Sequence, residues 1–143
     1  MRFGSCGRWR ERGALERLSV ELGIEDIVVL AGYRKDARRI LGLMDLFVLP
    51  SRSEGLPMAL LEAMLAYVPV AAVRAGECEA ILGQGKYGHI LSDDECKWPG
   101  ELERLLECRD EKRLQEARSW VVGNYSFDAM MSAYEEIYSA RAV

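Results

Sequence analysis

This chain has little from which to build a metal centre or a disulfide framework. It has one histidine, His89, and four cysteines, Cys6, Cys78, Cys96 and Cys108, with no CxxC pair and no spacing that a zinc site uses. The cysteines read as reduced structural thiols of a cytoplasmic protein. A basic excess is missing too: 19 Lys and Arg against 23 Asp and Glu leave a net charge of −4. No general attraction to nucleic acid or to an anionic membrane follows from that balance, so any phosphate binding has to be local. The three Trp, three Phe and six Tyr are scattered, which argues against a base-stacking platform. The longest nearly apolar stretch, LPMALLEAMLAYVPVAAV, is interrupted by Glu62 and two prolines and is no membrane span. Residues 1–15 are polar and glycine-bearing and carry no visible secretion signal, and no internal repeat, linker or low-complexity tract appears. The expectation is a soluble protein.

What is present suits one domain. Half of the 143 residues are hydrophobic, enough for one well-buried core at this length. Leu15, Leu18 and Leu22 stand at helical spacing in residues 10–22, and Gly23 follows as a stop signal. IVVLAG (27–32), LFVLP (46–50), VPVAAV (68–73) and HIL (89–91) read as strands. Between them lie helical segments: 34–43, 57–66 with Pro57 at the favoured first position, and 77–82. The remainder, 101–107, 111–122 and 126–140, carries apolar residues at spacings of three and four, with Ser126 and Asp128 able to cap the last helix. Strands alternating with helices, each strand apolar throughout, predict a Rossmann-like α/β layer: a parallel sheet flanked by helices.

Residues 83–88 spell GQGKYG, a formal GxGxxG. A dinucleotide fingerprint needs a strand before it and a helix opening after it; here a helix precedes and a strand follows, with Lys86 where the helix should begin. It is no Walker loop either, because Ala80 stands where glycine is needed and Tyr87 replaces Ser/Thr. A glycine-rich turn accounts for it. The Asp93-Asp94-Glu95 run reads as a solvated turn, with a weak metal site as the other reading.

The stretch EGLPMALLE is different. The order strand, SRSEGL, helix puts it outside the carboxyl end of a parallel strand, where ligands collect in such sheets. The amides of Met58, Ala59 and Leu60 are expected to lack intrahelical partners, and with those of Gly55 and Leu56 they can point at an anion. Gly55 permits close backbone approach. Glu62 lies one and a half turns into the helix and leans back toward its start. A carboxylate is acceptor-only and takes two hydroxyl hydrogens at once, so Glu54 and Glu62 flanking an anion site suit ribose, diphosphate and sugar in a row. The plainer reading also stands: acids near a helix start stabilise it by about 0.3–1 kcal/mol. Against that, Leu60, Leu61, Ala63 and Met64 surround Glu62, and an acid on so apolar a helix needs a partner or a ligand.

Residues 45–81, DLFVLPSRSEGLPMALLEAMLAYVPVAAVRAGECEAI, closely resemble the C-terminal domain of GT-B retaining glycosyltransferases of the family 4 type. Asp45, Pro50, Ser51, Glu54, Gly55, Pro57, Glu62, Ala63, Met64, Pro69, Val70, Gly76 and Glu79 match that family's pattern in order. ALERLSVELGIEDIVVLAGY (14–33) and YSFDAMMSAYEEIY (125–138) are similar to its flanking segments. The resemblance implies a site for a UDP- or GDP-linked sugar. Glu62 would hold the ribose hydroxyls and Glu54, in the catalytic position, the transferred sugar. Ser51 and the backbone of Gly55, Leu56, Pro57 and Met58 would line the sugar and diphosphate, while Gly32, Tyr33 and Arg34 would face the base. It also implies transfer with retained configuration and no metal, with which the absence of a DxD motif agrees.

Departures from the family shape the expectations. The N-terminal acceptor half and the first strand and helix of the donor domain have no counterpart here, and MRFGSCG is a loose match to an apolar strand and glycine loop. Tyr67 stands where the family has glycine, and a large ring there is expected to obstruct or reshape the crevice. The leading expectation is a donor-binding domain for polysaccharide, lipopolysaccharide or glycolipid assembly. It would need an N-terminal half or a partner chain for catalysis, and would meet a membrane only through that partner. The alternative is a non-catalytic domain, a weak nucleotide-sugar binder or interaction module, whose exposed sheet edge leads to self-association. A sugar-nucleotide epimerase of the same architecture would lack the EGLP pattern.

Overall fold

The computed structural model describes residues 3–6 and 11–140. They divide into two units, residues 1–37 and 38–143. The first is a β-α-β turn of chain: β1 (Phe3–Cys6), α1 (Arg12–Glu21) and β2 (Val28–Gly32), the strands paired in parallel from Phe3 opposite Val28 to Cys6 opposite Gly32. A strand at Phe3–Cys6 falls at the place where the family has its apolar strand: Gly4 and Ser5 hide it from a hydrophobicity pattern, yet the β2 ladder still accepts its backbone. Of the leucines of α1 and its C-terminal end, only Leu15 is half-buried. Leu18 and Leu22 are exposed, whereas Ser19 is buried, its hydroxyl donating to the Glu16 carbonyl at 2.8 Å. In β2, half-buried residues alternate with exposed Val29 and Ala31, so this strand is covered on one face rather than two.

From Ala37, the last residue of the first unit, α2 (Ala37–Leu41) leads into the second, where β3 (Phe47–Leu49), α3 (Met58–Leu65), β4 (Val70–Ala72), α4 (Cys78–Ile81) and β5 (His89–Ile90) alternate. The three strands form a parallel sheet in the order β3-β4-β5, with α3 and α4 as crossovers. β4 is buried along its whole length, which is why VAA suffices: small side chains let helices approach the central strand closely. The ladder runs one step past β5, because the Leu91 amide donates to the Ala72 carbonyl at 2.9 Å. After a 3₁₀ turn at Glu95–Lys97 come α5 (Trp98–Glu107), α6 (Glu111–Tyr125) and α7 (Phe127–Ala140). Asp110 caps α6 through the Arg113 amide, and Ser126 caps α7 through the Ala129 amide.

The core lies between the three-stranded sheet and its helices. Leu60, Met64, Ile81, Leu82, Leu91 and Cys78 are fully buried, and all of these but Leu91 share one cluster with Ala117 and Val121 of α6. Among the described residues no helix is long and apolar enough to cross a membrane. Helix α3 starts one residue later than the sequence suggests. Pro57, at φ −75° and ψ 91°, is the extended residue before the helix rather than its first member.

Candidate functional site

Parallel pairing puts the exits of β3, β4 and β5 on one edge of the sheet, and the three exit loops are tied to one another. The Glu77 amide donates to the Gly55 carbonyl at 3.2 Å. Arg52 pairs with Glu95 at 3.5 Å, and Arg74 pairs with Glu79 at 3.4 Å and Asp93 at 3.7 Å. Gly76, at φ +50°, lies so close beneath the loop that a Cβ there would meet the Glu54 carbonyl carbon at 2.7 Å and the Gly55 oxygen at 2.8 Å. Only glycine allows this stacking. The Asp93-Asp94-Glu95 carboxylates are drawn into the same edge: Asp93 and Glu95 by those arginines, Asp94 by accepting from the Cys96 amide at 3.1 Å.

The loop is held firmly while its donors stay open. Among the described residues, the amides of Gly55, Leu56, Met58 and Ala59 donate to no protein group. The expectation for Leu60 is corrected: its amide donates to the Pro57 carbonyl at 3.0 Å, because the first turn closes one residue tighter than an α-helix. Leu56 and Met58 are exposed and Ser51 is half-buried, while Pro57 is buried and anchors the corner. Glu54 is half-buried beside the start of α4. Burial pushes the Cys78 thiol up, the Ala75 backbone draws it down, and the charge of Glu54 adds to the upward push.

Glu62 projects from the second turn of α3 while its neighbours Leu60, Leu61, Ala63 and Met64 are all buried. It is not alone. The Arg38 Nε donates to Glu62 Oε1 at 2.9 Å, across 24 residues of sequence. This partner answers the question raised by an acid on an apolar helix, and the sequence pointed to it only through the basic run RKDARR.

Gly32, Tyr33 and Arg34 belong to the first unit. Gly32 takes φ +66°, closing β2 with a turn that favours glycine. Arg34 holds Asp36 in a two-pronged pair at 2.8 and 2.7 Å, which keeps the Asp36 carboxyl below its usual range.

Two features keep clear of the exit edge. Tyr67 lies in the turn from α3 into β4, at the opposite end of the strands, so the expected obstruction of the crevice is corrected. It takes φ +58°, accepts from Arg118 Nη1 at its hydroxyl at 2.9 Å, and its carbonyl accepts from Arg109 at 3.3 Å. The GQGKYG turn is built the opposite way to a phosphate loop. The amides of Gln84, Gly85, Lys86 and Tyr87 are spent on nearby carbonyls. Its own carbonyls converge on Arg113, which donates to Gly85 at 2.7 Å, Gly88 at 2.8 Å and Lys86 at 2.9 Å. The turn thus presents carbonyls to a cation and keeps no amide of residues 84–87 for an anion.

Comparison with known proteins agrees with this geometry. The profile of the family described as glycosyl transferases group 1 matches residues 2–108. The chain is 28% identical over 140 residues to the Vi polysaccharide biosynthesis protein VipC/TviE of Salmonella typhi, covering 93% of this chain and 24% of that protein. It is 26% identical over 138 residues to the lipopolysaccharide core biosynthesis glycosyltransferase LpsE of Rhizobium meliloti, covering 94% and 41%. The crystal structure of Anabaena HepE in complex with UDP-glucose superposes with a TM-score of 0.79 at 20% identity, over 96% of this chain and 40% of that one. The chain thus spans less than half the length of each. An α/β unit with a parallel three-stranded sheet, an EGLP corner at its strand exits and a family profile over residues 2–108 place this chain in the glycosyl transferases group 1 family, with the fold of a GT-B C-terminal domain.

Proposed function

We propose that this chain is the nucleotide-sugar donor domain of a retaining, family 4-type glycosyltransferase of the cytoplasm, serving polysaccharide, lipopolysaccharide or glycolipid assembly. The observation that carries the reading is the loop after β3, where four unpartnered amides lie between the carboxylates of Glu54 and Glu62 in sequence. Fixed amide dipoles favour a departing diphosphate without reorganising, and that preorganised stabilisation is usually the largest contribution to such a step. In this reading Glu62 accepts from ribose hydroxyls, and Glu54 contacts the sugar in the catalytic position. Ser51 and the backbone of Gly55–Met58 line the phosphates and sugar, and no metal takes part. The two relatives, a Vi polysaccharide biosynthesis protein and a lipopolysaccharide core biosynthesis glycosyltransferase, support the pathway class, and the UDP-glucose complex of HepE supports the ligand class. Transfer requires a second wall to exclude water, which a further domain or a partner chain supplies.

Calorimetric titration with UDP, UDP-glucose, GDP and GDP-mannose tests the reading. Saturable binding to one base series is expected; Glu62→Gln weakens nucleotide and nucleotide sugar alike, whereas Glu54→Gln removes only the increment due to the sugar. No saturable heat at millimolar ligand overturns it.

A further inference from the structure

The Arg38–Glu62 pair has a geometry that a simple surface ion pair does not require. Arg38 is 81% exposed and Glu62 27% exposed, so the carboxylate is set into the protein while its cation stands outside it. The contact runs from Nε alone to Oε1, and among the described residues no protein donor reaches Oε2. A glutamate's last torsion is broad and roughly two-fold, so an unclamped carboxylate sweeps its two oxygens freely. One hydrogen bond from a planar guanidinium biases that rotation toward the orientation in which Oε1 faces Arg38. Because an ionised carboxylate offers about four acceptor positions, a single donor leaves room for a pair of hydroxyls.

We propose that Arg38 is the positioning residue of the donor site, fixing the Glu62 carboxylate through Oε1 so that its remaining acceptor positions meet the vicinal ribose hydroxyls. The inference rests on the donor-domain reading and adds to it a residue that touches the ligand only through Glu62. The benefit is preorganisation: ordering the carboxylate before binding spares the ligand that cost. Exposed pairs contribute little to folding, so removing Arg38 leaves the protein intact and the binding effect readable.

The experiment uses the whole chain and measures dissociation constants for UDP, GDP and their 2′-deoxy counterparts, with wild type, Arg38→Ala and Arg38→Lys. In Arg38→Ala the ribonucleotide of the preferred base is expected to weaken by roughly three- to ten-fold, the range one net hydrogen bond supplies. The deoxynucleotide weakens by less than about two-fold, since part of what Glu62 recognises is already gone. Arg38→Lys, which keeps a donor but not the planar fork, recovers part of the loss. Equal weakening of both nucleotides would show that Arg38 acts through bulk charge, and no weakening, or tighter ribonucleotide binding, would show that it does not position Glu62; each overturns the proposal. If wild type binds no nucleotide at all, the donor-domain reading itself fails and takes this inference with it. Urea midpoints of the variants, unchanged from wild type, confirm that the readout is binding.

Discussion

Replacing Gly76 with alanine puts a methyl group where the loop after β3 already sits. Two costs add. An L-residue at φ +50° loses about 1–2 kcal/mol against its preferred backbone. The new Cβ also meets the carbonyl carbon of Glu54 at 2.7 Å and the oxygen of Gly55 at 2.8 Å. These are backbone atoms, which cannot swing aside as a side chain does, so the loop must shift, at about 1–3 kcal/mol for an overpacked contact. Alanine gives back about 0.4–1 kcal/mol by restricting the unfolded chain. The net is a loss of about 1–4.5 kcal/mol. With a urea slope on the order of 2 kcal/mol/M, the midpoint followed by tryptophan fluorescence falls by about 0.5–2 M at unchanged slope. Gly55→Ala is the internal control. Nothing lies within 4 Å of a Cβ added there and its φ is not positive, so it costs under about 0.5 kcal/mol. A Gly76→Ala midpoint within about 0.3 M of wild type would refute the claim that this glycine supports the EGLP corner.

Two further expectations rest on other parts of the second unit. Arg113→Ala removes a guanidinium from three carbonyls of the GQGKYG turn, a loss of about 2–4 kcal/mol in urea unfolding with faster amide exchange in residues 83–88; a loss under about 0.5 kcal/mol contradicts the clamp. Burial alone would raise the Glu101 carboxyl, but the Ser92 amide and His89, both at 3.2 Å from Oε2, outweigh it and hold Glu101 below its ordinary value. Its stabilisation is therefore present above the ordinary carboxylate range and is lost as pH falls through the lowered value, so Glu101→Gln flattens the acid limb of a plot of thermal midpoint against pH. Parallel curves for wild type and variant would count against this assignment.

How much could be read beforehand depends on the range of the interaction. The alternation of β3, α3, β4, α4 and β5 was legible because apolar runs, glycine and proline act within a few residues. The EGLP corner was legible for the same reason, as a strand exit running into a helix start, and so was the failure of GQGKYG as a cofactor loop, from element order alone. β1 was not, because Phe3–Cys6 is a strand through its pairing with β2 and not through its own composition. Which residues of α1 are covered was not legible either: helical spacing groups Leu15, Leu18 and Leu22, yet only Leu15 is half-buried and Ser19 is the buried residue.

The amino-acid sequence by itself determined the alternation of elements from β2 to β5, the family, and that Glu54 and Gly55 stand in the loop before α3 while Glu62 stands on α3, since each depends on neighbours along the chain. Tertiary structure alone decided which groups those residues meet: Gly76 under the loop, Arg38 on Glu62, Arg113 on the glycine turn, and Tyr67 beside Arg118 at the far end of the strands. The reason is physical. Hydrogen bonds and close packing act over a few ångströms in space, and their partners here lie more than 20 residues apart in sequence, a separation no local pattern encodes.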